Sequence, residues 1–426
     1  VSVHVYDVFY KSTKKMDIKS NEELYIPRIK WTQNAENLAI ITLNRSQNRM
    51  EILFANPKST VCDVVLVEKA NQYINIDNLD FLTFLPNNQF AYLSDKSGFN
   101  HICLYSNSGI QIKEINSGNF DVTNFYGCDT INNVFYYESA EPSPLQRNIY
   151  SIDLKGKKTK ITKDNGVHQA IFSDNFQYFL DDFSSSKYPD IISICNSTSG
   201  NAIKTLENNE ELKNLAKEDT LQEKEYFTIK TSENIELNAW MMKPKNFDEK
   251  LQYPVLMIQY SGPNSQEVMD KWEIGWEQYL VDNGYIVVCV DGRGTGGRGT
   301  EFRNCTYLQL GIIEAKDQIE AAGYISSLPY VNKARIGIFG WSFGGYTTLM
   351  CMSLGNGIFK AGIAVAPVTD WRFYDSVYTE RYMKRPQENM KKYIQSSPLE
   401  MADKLQGNLL IIHGTADDNV HVQNTL

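Results

Sequence analysis

Short apolar runs separated by polar clusters fill the first half of the chain. Residues 29–56 read IKWTQNAENLAIITLNRSQNRMEILFAN, in which three apolar runs are divided by Asn-rich turns. This pattern is typical of antiparallel strands. Similar units begin near residues 82, 122 and 167, so the pattern recurs after about 40 to 50 residues, the length of one propeller blade. We therefore predict a partial β-propeller of about four blades, with VSVHVYDV (1–8) as the remnant of another; a β-sandwich with coincidental spacing is the alternative.

The pattern changes near residue 217. The segment NNEELKNLAKEDTLQEKEY (208–226) is charged and helix-prone, and we interpret it as a connector. Beyond it, apolar strands alternate with helical stretches, which predicts a mostly parallel sheet covered on both faces. We expect a partial propeller domain at 1–217 and an α/β domain at 218–426. The predicted elements are a hairpin at 225–244, strands at 253–260, 285–291, 335–339, 361–367 and 408–412, and helices near 270–283, near 313–327 and from about 344.

Composition narrows the classes of partner. The net charge is −9, which disfavours a nucleic acid or an anionic membrane. Apolar stretches such as YIVVCV (285–290) are too short to span a bilayer, and residues 1–25 lack the pattern of a signal peptide. The seven cysteines form no CxxC pair and no metal-ligand spacing. We expect mostly buried thiols, and neither a metal nor a cofactor.

The strand at 335–339 leads into Gly340-Trp341-Ser342-Phe343-Gly344. A GxSxG pattern by itself is weak, but here it follows a predicted strand and opens a predicted helix, as a nucleophile elbow requires. On such a turn the serine hydroxyl is lifted above the sheet, and the N–H of the next residue can face a developing oxyanion. We therefore predict that the second domain is an α/β-hydrolase domain with Ser342 as its nucleophile and the Phe343 N–H as an oxyanion donor.

A serine nucleophile requires a base and a carboxylate that orients the base. On this fold the chain order is Ser, then Asp, then His. The segment NLLIIHGTADDNV (408–420) places two aspartates just after a strand. Spacing does not choose between Asp417 and Asp418.

Several stretches together carry a family resemblance. They are GWSFGGY (340–346), AVAPVTDWRFYDSVYTERYM (364–383), DGRGTGGRG (291–299) and HGTADDNVH (413–421), with looser matches in IPRIKW (26–31) and SGFNHICLY (97–105). With these stretches the chain resembles the prolyl oligopeptidase family of serine peptidases, and its dipeptidyl peptidase IV branch in particular. The resemblance covers nearly the whole chain and is most specific beyond residue 225.

The resemblance implies roles for individual residues. It selects Asp417 as the catalytic aspartate, Tyr260 as the hydroxyl that completes the oxyanion hole, and Asn419 as a donor to a substrate carbonyl. It also implies an apolar pocket for a proline ring, which is compact and has no N–H to satisfy. The residues matched to this pocket are Val368, Trp371, Tyr374, Tyr378 and Val420. Phe343 stands where animal members carry tyrosine, and we expect little change because the backbone donor is kept.

The resemblance also implies parts that this chain does not contain. The family histidine lies beyond Asp417, and none of His4, His101, His168, His413 and His421 matches it. A pair of glutamates that grips the substrate N-terminus belongs to a part of the propeller that is also absent. We therefore expect an internal fragment of a longer peptidase, truncated before the catalytic histidine and inactive by itself.

The implied function of the longer protein is that of a serine exopeptidase. It would release Xaa-Pro dipeptides, and less readily Xaa-Ala dipeptides, from peptides with proline at the second position. Alternatives are a tripeptidyl, acylaminoacyl or endo-acting relative, or a catalytically dead propeller-hydrolase that serves as a binding scaffold. The family further implies a homodimer and a periplasmic, extracellular or cell-surface location.

Overall fold

A computed structural model describes residues 1–20, 22–219 and 221–426. Residues up to 207 form a two-stranded hairpin followed by four antiparallel sheets of four strands each, taken in chain order as blades 1 to 4. The hairpin strands are β1 (His4–Asp7) and β2 (Ser12–Lys15). The blade strands are β3 (Leu24–Trp31), β4 (Leu38–Asn44), β5 (Arg49–Ala55), β6 (Cys62–Lys69); β7 (Thr83–Leu85), β8 (Gln89–Ser94), β9 (His101–Ser106), β10 (Gln111–Glu114); β11 (Val122–Asp129), β12 (Val134–Ser139), β13 (Asn148–Asp153), β14 (Lys158–Lys160); β15 (Val167–Phe172), β16 (Tyr178–Ser185), β17 (Tyr188–Asn196) and β18 (Ala202–Glu207).

Neighbouring blades pack face to face. Successive side chains of a strand point to opposite faces of the sheet, so one strand contributes to two apolar layers. In β4, Ile41 packs with Phe90 and Tyr105 of blade 2, whereas Ile40 packs on the opposite face with Met16 of the N-terminal segment. The predicted repeat of about four blades is therefore confirmed.

The second half contains one seven-stranded sheet in the order β19-β20-β22-β21-β23-β24-β25. The pairs β19–β20 and β20–β22 are antiparallel, and the pairs that follow in this order, from β22 to β25, are parallel. The mostly parallel sheet was predicted correctly. Its strands are β19 (Glu225–Lys230), β20 (Glu236–Met242), β21 (Tyr253–Ile258), β22 (Ile286–Asp291), β23 (Val331–Trp341), β24 (Ala361–Val365) and β25 (Asn408–Ile412).

Helices connect and cover these strands. The α-helices are α1 (Glu210–Glu218), α2 (Glu277–Asp282), α3 (Gly299–Asn304), α4 (Ile312–Ser326), α5 (Phe343–Leu354), α6 (Ser376–Met383) and α7 (Pro386–Gln395); short 3₁₀ turns lie at Ile76–Phe81, Trp371–Phe373, Leu399–Lys404 and Val422–Asn424. Helix α1 occupies the predicted connector. No helix among the described residues is long and apolar enough to cross a membrane.

The helix predicted near 270–283 begins only at Glu277, so its predicted start was wrong. The Asp291 carboxylate accepts hydrogen bonds from the backbone N–H groups of Glu267 and Val268. These contacts hold the segment before α2 in an irregular path, and Val268 is fully buried in that segment. Helices α3, α6 and α7 were not predicted, because their residues lie in long connections between strands.

Polar contacts join the propeller to the second sheet. Arg303 at the end of α3 pairs with Asp95 of blade 2, and the Arg303 side chain is only 3% exposed. Arg45 of blade 1 makes two hydrogen bonds of 2.8 Å to Glu380 of α6. The backbone N–H of Gly299 donates to Asp121 of blade 3 at 2.8 Å. Contacts from three blades therefore hold the propeller beside the helices that flank the candidate site.

Candidate active site

Ser342 occupies a strained turn between β23 and α5. Its backbone angles are φ 56° and ψ −115°, a left-handed conformation that a serine rarely adopts. The Ser342 N–H donates to Val365 O at 2.8 Å, and the Ser342 carbonyl accepts from the Tyr346 N–H at 3.0 Å. Both neighbouring elements thus fix the turn, and the serine side chain stays half-buried at the carboxyl end of the strand.

Two glycines allow this turn to pack closely. A Cβ atom at Gly340 would lie 2.2 Å from the Gly344 backbone, and one at Gly344 would lie 2.4 Å from the Gln259 carbonyl oxygen. Both distances are far inside van der Waals contact. Only glycine therefore fits at these two positions of the GxSxG pattern without moving the backbone.

Tyr260 lies just beyond β21, beside the elbow. Its ring centre lies 6.2 Å from that of Phe343, the residue that follows Ser342, and burial raises the pKa of the Tyr260 hydroxyl although the nearby Ser342 side chain opposes this shift. The tyrosine therefore stays protonated, as a hydrogen-bond donor to an oxyanion must. Tyr260 and Ser342, predicted from distant parts of the sequence, are brought together here.

Gln259 holds the tyrosine in place, and sequence reasoning missed it. Its Nε2 donates to Gly344 O at 2.8 Å and to Thr348 Oγ1 at 3.3 Å, both on α5. Its signal in the sequence is a polar residue at the end of the apolar run YPVLMI (253–258). A polar side chain at such a position requires a buried partner.

An aromatic cluster lies on the α5 side of the elbow. The centre of the Phe343 ring lies 5.6 Å from that of Trp371. The Trp371 ring centre in turn lies 6.0 Å from that of Tyr378 and 5.9 Å from that of Tyr374. Tyr374 and Tyr378 meet edge to face at 5.3 Å. Phe343 and Trp371 are buried, so the cluster forms one wall of a fixed shape.

Val368 and Val420 belong to the same apolar cluster and are both 2% exposed. Val368 lies in the loop after β24 and Val420 lies in the loop after β25. Asn424 joins these two loops. The Thr369 N–H donates to Asn424 Oδ1 at 3.1 Å, and the Thr369 hydroxyl donates to Asn424 O at 2.6 Å. All five residues predicted for the apolar pocket thus lie in or against this one apolar cluster.

The loop after β25 is organised by Asp417. Asp417 Oδ1 accepts from the N–H groups of Asn419 at 3.0 Å and Val420 at 2.9 Å. Asn419 Oδ1 in turn accepts from the Tyr374 hydroxyl at 2.9 Å. Asp418 is exposed to solvent, whereas Asp417 is half-buried.

None of the five histidines shares a hydrogen bond with Ser342 among the described contacts. His413 is the histidine near Asp417, with 3.7 Å between His413 Nε2 and Asp417 Oδ2. Its ring is held by Thr425 Oγ1 and Val420 O, each at 2.7 Å. His101 and His168 lie in the propeller, where they contact Glu114 and Asp181.

Two family models match successive parts of the chain. Residues 1–190 match the dipeptidyl peptidase IV N-terminal region, and residues 272–426 match the prolyl oligopeptidase family. The first match covers the blades, and the second covers the elbow, the aromatic cluster and the Asp417 loop.

Individual relatives agree with these models. Dipeptidyl aminopeptidase B of Saccharomyces cerevisiae is 35% identical over 96% of this chain and 54% of its own length. A probable dipeptidyl-aminopeptidase B of Pyrenophora teres is 44% identical over 70% of this chain and 34% of its own length. The chain spans about half the length, or less, of these curated relatives.

A solved structure, dipeptidyl peptidase 4 of Porphyromonas gingivalis, superimposes with a TM-score of 0.96. It is 51% identical, and the match covers 100% of this chain and 60% of that one. A putative dipeptidyl aminopeptidase IV of Bacteroides ovatus gives a TM-score of 0.91 at 30% identity, over 100% of this chain and 63% of that one. From the elbow, the blades and these matches we conclude that the chain belongs to the prolyl oligopeptidase family, in its dipeptidyl peptidase IV subfamily.

Proposed function

We propose that a protein carrying this chain is a serine exopeptidase that releases N-terminal Xaa-Pro dipeptides, and Xaa-Ala dipeptides less readily. The observation that carries the proposal is the position of Tyr260 beside the strained Ser342 turn, next to the aromatic cluster around Trp371. The relatives named dipeptidyl aminopeptidase and dipeptidyl peptidase support the same reaction.

In this proposal Ser342 Oγ attacks the carbonyl carbon of the second residue of the peptide. A histidine takes the hydroxyl proton, and the carbonyl oxygen becomes an oxyanion that accepts from the Tyr260 hydroxyl and the Phe343 N–H. The C–N bond then breaks, and the histidine returns the proton to the leaving amine. Water next releases the dipeptide from Ser342 by the same steps.

Asp417 is proposed to orient that histidine and to stabilise its charged form. Its Oδ1 is used by the loop backbone, and its Oδ2 is the oxygen that lies toward the His413 ring at 3.7 Å. One carboxylate oxygen thus shapes the loop while the other is available to an imidazole. Asn419, which the same loop presents beside Tyr374, is proposed to bind a substrate carbonyl.

The proposed proline pocket is the space bordered by Trp371, Tyr374 and Tyr378, with Val368 and Val420 behind them. Flat aromatic walls suit a compact ring that brings no N–H donor to satisfy. Alanine would leave part of the same space unfilled, which explains why Xaa-Ala would be the poorer substrate.

We also propose the division of the chain into a partial propeller at 1–217 and a catalytic domain at 218–426. The change from four-stranded antiparallel sheets to one mixed sheet after β18 supports this boundary. The longer protein is proposed to form a homodimer at the cell surface, outside the cell or in the periplasm. Analytical ultracentrifugation and cell fractionation test these two expectations.

We propose further that the 426-residue polypeptide alone does not hydrolyse peptides. The support is that the described contacts of its histidines do not include Ser342. Robust Ser342-dependent hydrolysis by this polypeptide would contradict the proposal.

The test of function uses a longer polypeptide that carries this chain and a Gly-Pro-p-nitroanilide reporter. We expect hydrolysis that Ser342→Ala abolishes, and dipeptides as the products of a Gly-Pro-Gly-Gly peptide by mass spectrometry. Tripeptide products, or equal cleavage of an N-acetylated peptide, would instead indicate one of the related activities.

A further inference from the structure

The turn directly after Tyr260 is strained and buried. Ser261 has φ 62°, a left-handed backbone that residues other than glycine rarely adopt. Such a conformation costs about 1–3 kcal/mol and persists only where the surrounding structure enforces it. Ser261 is 2% exposed, so the groups that hold it lie inside the protein.

Gln318 on α4 is one of these groups. Its Nε2 donates to Ser261 Oγ at 3.2 Å and to Val290 O, near the end of β22, at 2.8 Å. Gln318 is fully buried, and burying an amide is unfavourable unless its hydrogen bonds are replaced. An apolar side chain of similar size would pack here without that cost. The value of Gln318 therefore lies in the hydrogen bonds that it donates.

The preceding residue of α4 holds the neighbouring loop. Asp317 Oδ2 accepts from the N–H of Arg293, in the loop after β22, at 2.8 Å. The N–H of Asn264, in the loop after β21, donates to the carbonyl of Gly294, in the loop after β22, at 2.9 Å. Consecutive residues of one helix therefore anchor two loops that also bind each other, and α4 forms a common base for both.

The Tyr260 ring packs on the same turn. A Cβ atom at Gly262 would lie 2.5 Å from Tyr260 Cε1, so the ring and the backbone at Gly262 are in close contact. On the other side of Tyr260 in the chain, Gln259 binds Gly344 and Thr348 of α5. A shift of the turn would therefore move the Tyr260 ring and, with it, the hydroxyl.

We propose that Gln318 is a positioning residue for the reaction: through Ser261 it fixes the turn that sets the direction of the Tyr260 hydroxyl. The inference rests on the proposed function. A preorganised donor stabilises an oxyanion because it need not reorient as the charge develops, so a turn that is free to move weakens the donor without removing it. The loss should appear in kcat rather than in KM, because the oxyanion exists only after the attack of Ser342.

Ser261→Ala is the first test, because it removes the hydrogen bond from Gln318 to the turn and leaves the bond from Gln318 to Val290. In the active longer protein we expect kcat for Gly-Pro-p-nitroanilide to fall about tenfold, with KM little changed. This loss is smaller than the loss of about 10²- to 10³-fold that follows when an oxyanion donor is removed. Gln318→Leu, which removes both bonds, should lower kcat in the same way.

A double-mutant cycle with Tyr260→Phe separates positioning from a general structural effect. Once the hydroxyl is absent, Ser261→Ala has nothing left to misplace, so it should change kcat by less than about twofold. The matched control is Ser326→Ala, which removes another side-chain hydrogen bond of α4, from Ser326 Oγ to Gly323 O at 2.7 Å. This control should leave kcat unchanged with and without Tyr260→Phe. Thermal melting identifies a Gln318→Leu variant that fails to fold, in which case Ser261→Ala decides.

Two outcomes overturn the inference. An unchanged kcat in Ser261→Ala means that the hydrogen bond from Gln318 does not set the direction of the Tyr260 hydroxyl. A loss of kcat that is equal with and without Tyr260→Phe means that the turn affects the site by another route. If the unaltered longer protein does not hydrolyse the reporter, the proposed function itself fails, which is a different result from either of these.

Discussion

The residues that carry the proposed chemistry gain their properties from immediate neighbours. Ser342 keeps a backbone conformation that costs about 1–3 kcal/mol, and hydrogen bonds to Val365 and Tyr346 hold it there. Tyr260 remains a protonated donor because burial raises the pKa of its hydroxyl. Backbone strain and side-chain burial act on single residues at this scale. Single substitutions should therefore change kcat or the free energy of unfolding measurably.

Tyr260→Phe removes one donor to the proposed oxyanion and retains the ring. We expect kcat for Gly-Pro-p-nitroanilide to fall by about 10²- to 10³-fold, with KM little changed, because the donor acts mainly in the transition state. Steady-state kinetics on the active longer protein measures this. Tyr279→Phe, at an exposed position of α2, is the control, and a Tyr260→Phe enzyme of normal kcat would exclude the role.

Gly340→Ala places a Cβ atom 2.2 Å from the Gly344 backbone. The turn must then open, so we expect a clear loss of stability, of about 3 kcal/mol or more, in chemical denaturation. Gly323→Ala, on α4 where an added Cβ meets nothing within 4 Å, should instead stabilise by about 0.5–1 kcal/mol. Equal effects of the two substitutions would contradict the steric account.

At the scale of elements, two loops from the sheet edge build the rest of the site. The loop after β24 brings Val368 and Trp371, and the loop after β25 brings Asp417 and Val420. Asn424 ties them together through Thr369. Because β24 and β25 are parallel neighbours, their carboxyl ends meet at one edge, where ligands of such sheets collect.

Asp417→Asn tests which of the two adjacent aspartates orients the base. We expect kcat to fall by about 10⁴-fold, as when a triad carboxylate loses its charge, while Asp418→Asn stays near the unaltered value. Stopped assays in the active longer protein measure both. The amide introduced by Asp417→Asn keeps an oxygen for the loop N–H groups, so the fold should survive, which a circular dichroism spectrum checks. A greater loss in Asp418→Asn would reverse the assignment.

At the scale of the molecule, the buried ion pair between Arg303 and Asp95 holds the blades beside the second half of the chain. Arg303 and Asp95 are 3% and 12% exposed at their side chains, and each comes from a different half of the chain. A pair of this kind is costly to break singly, because one charge is left buried without its partner.

Arg303→Met should therefore destabilise the protein by about 3–5 kcal/mol. The double variant Arg303→Met with Asp95→Leu should recover much of the loss, since neither charge remains. Denaturant unfolding of the four proteins of this cycle gives the coupling energy directly. Additive losses would mean that the two side chains do not act as a pair.

The wrong start of the helix near 270–283 and the missed role of Gln259 share one origin, which is contact between distant residues. Residues 270–276 lie in a segment predicted to be helical, but the buried Asp291 carboxylate binds the N–H groups just before them, and the helix begins only at Glu277. Gln259 looks like an ordinary strand end in the sequence, and only its contacts with Gly344 and Thr348 show what it holds.

The sequence by itself determined the features that depend on near neighbours. The blade repeat follows from strand alternation and polar turns, and the elbow at Ser342 follows from glycines two positions away on either side, since steric contact at such spacing is a local property. Only the tertiary structure decided that Val368 and Val420 join one apolar cluster, that Tyr260 lies beside the residue after Ser342, and that Trp276 and Trp341 border a cavity. Those arrangements depend on strand order and on the packing of loops far apart in the chain, which no short-range pattern encodes.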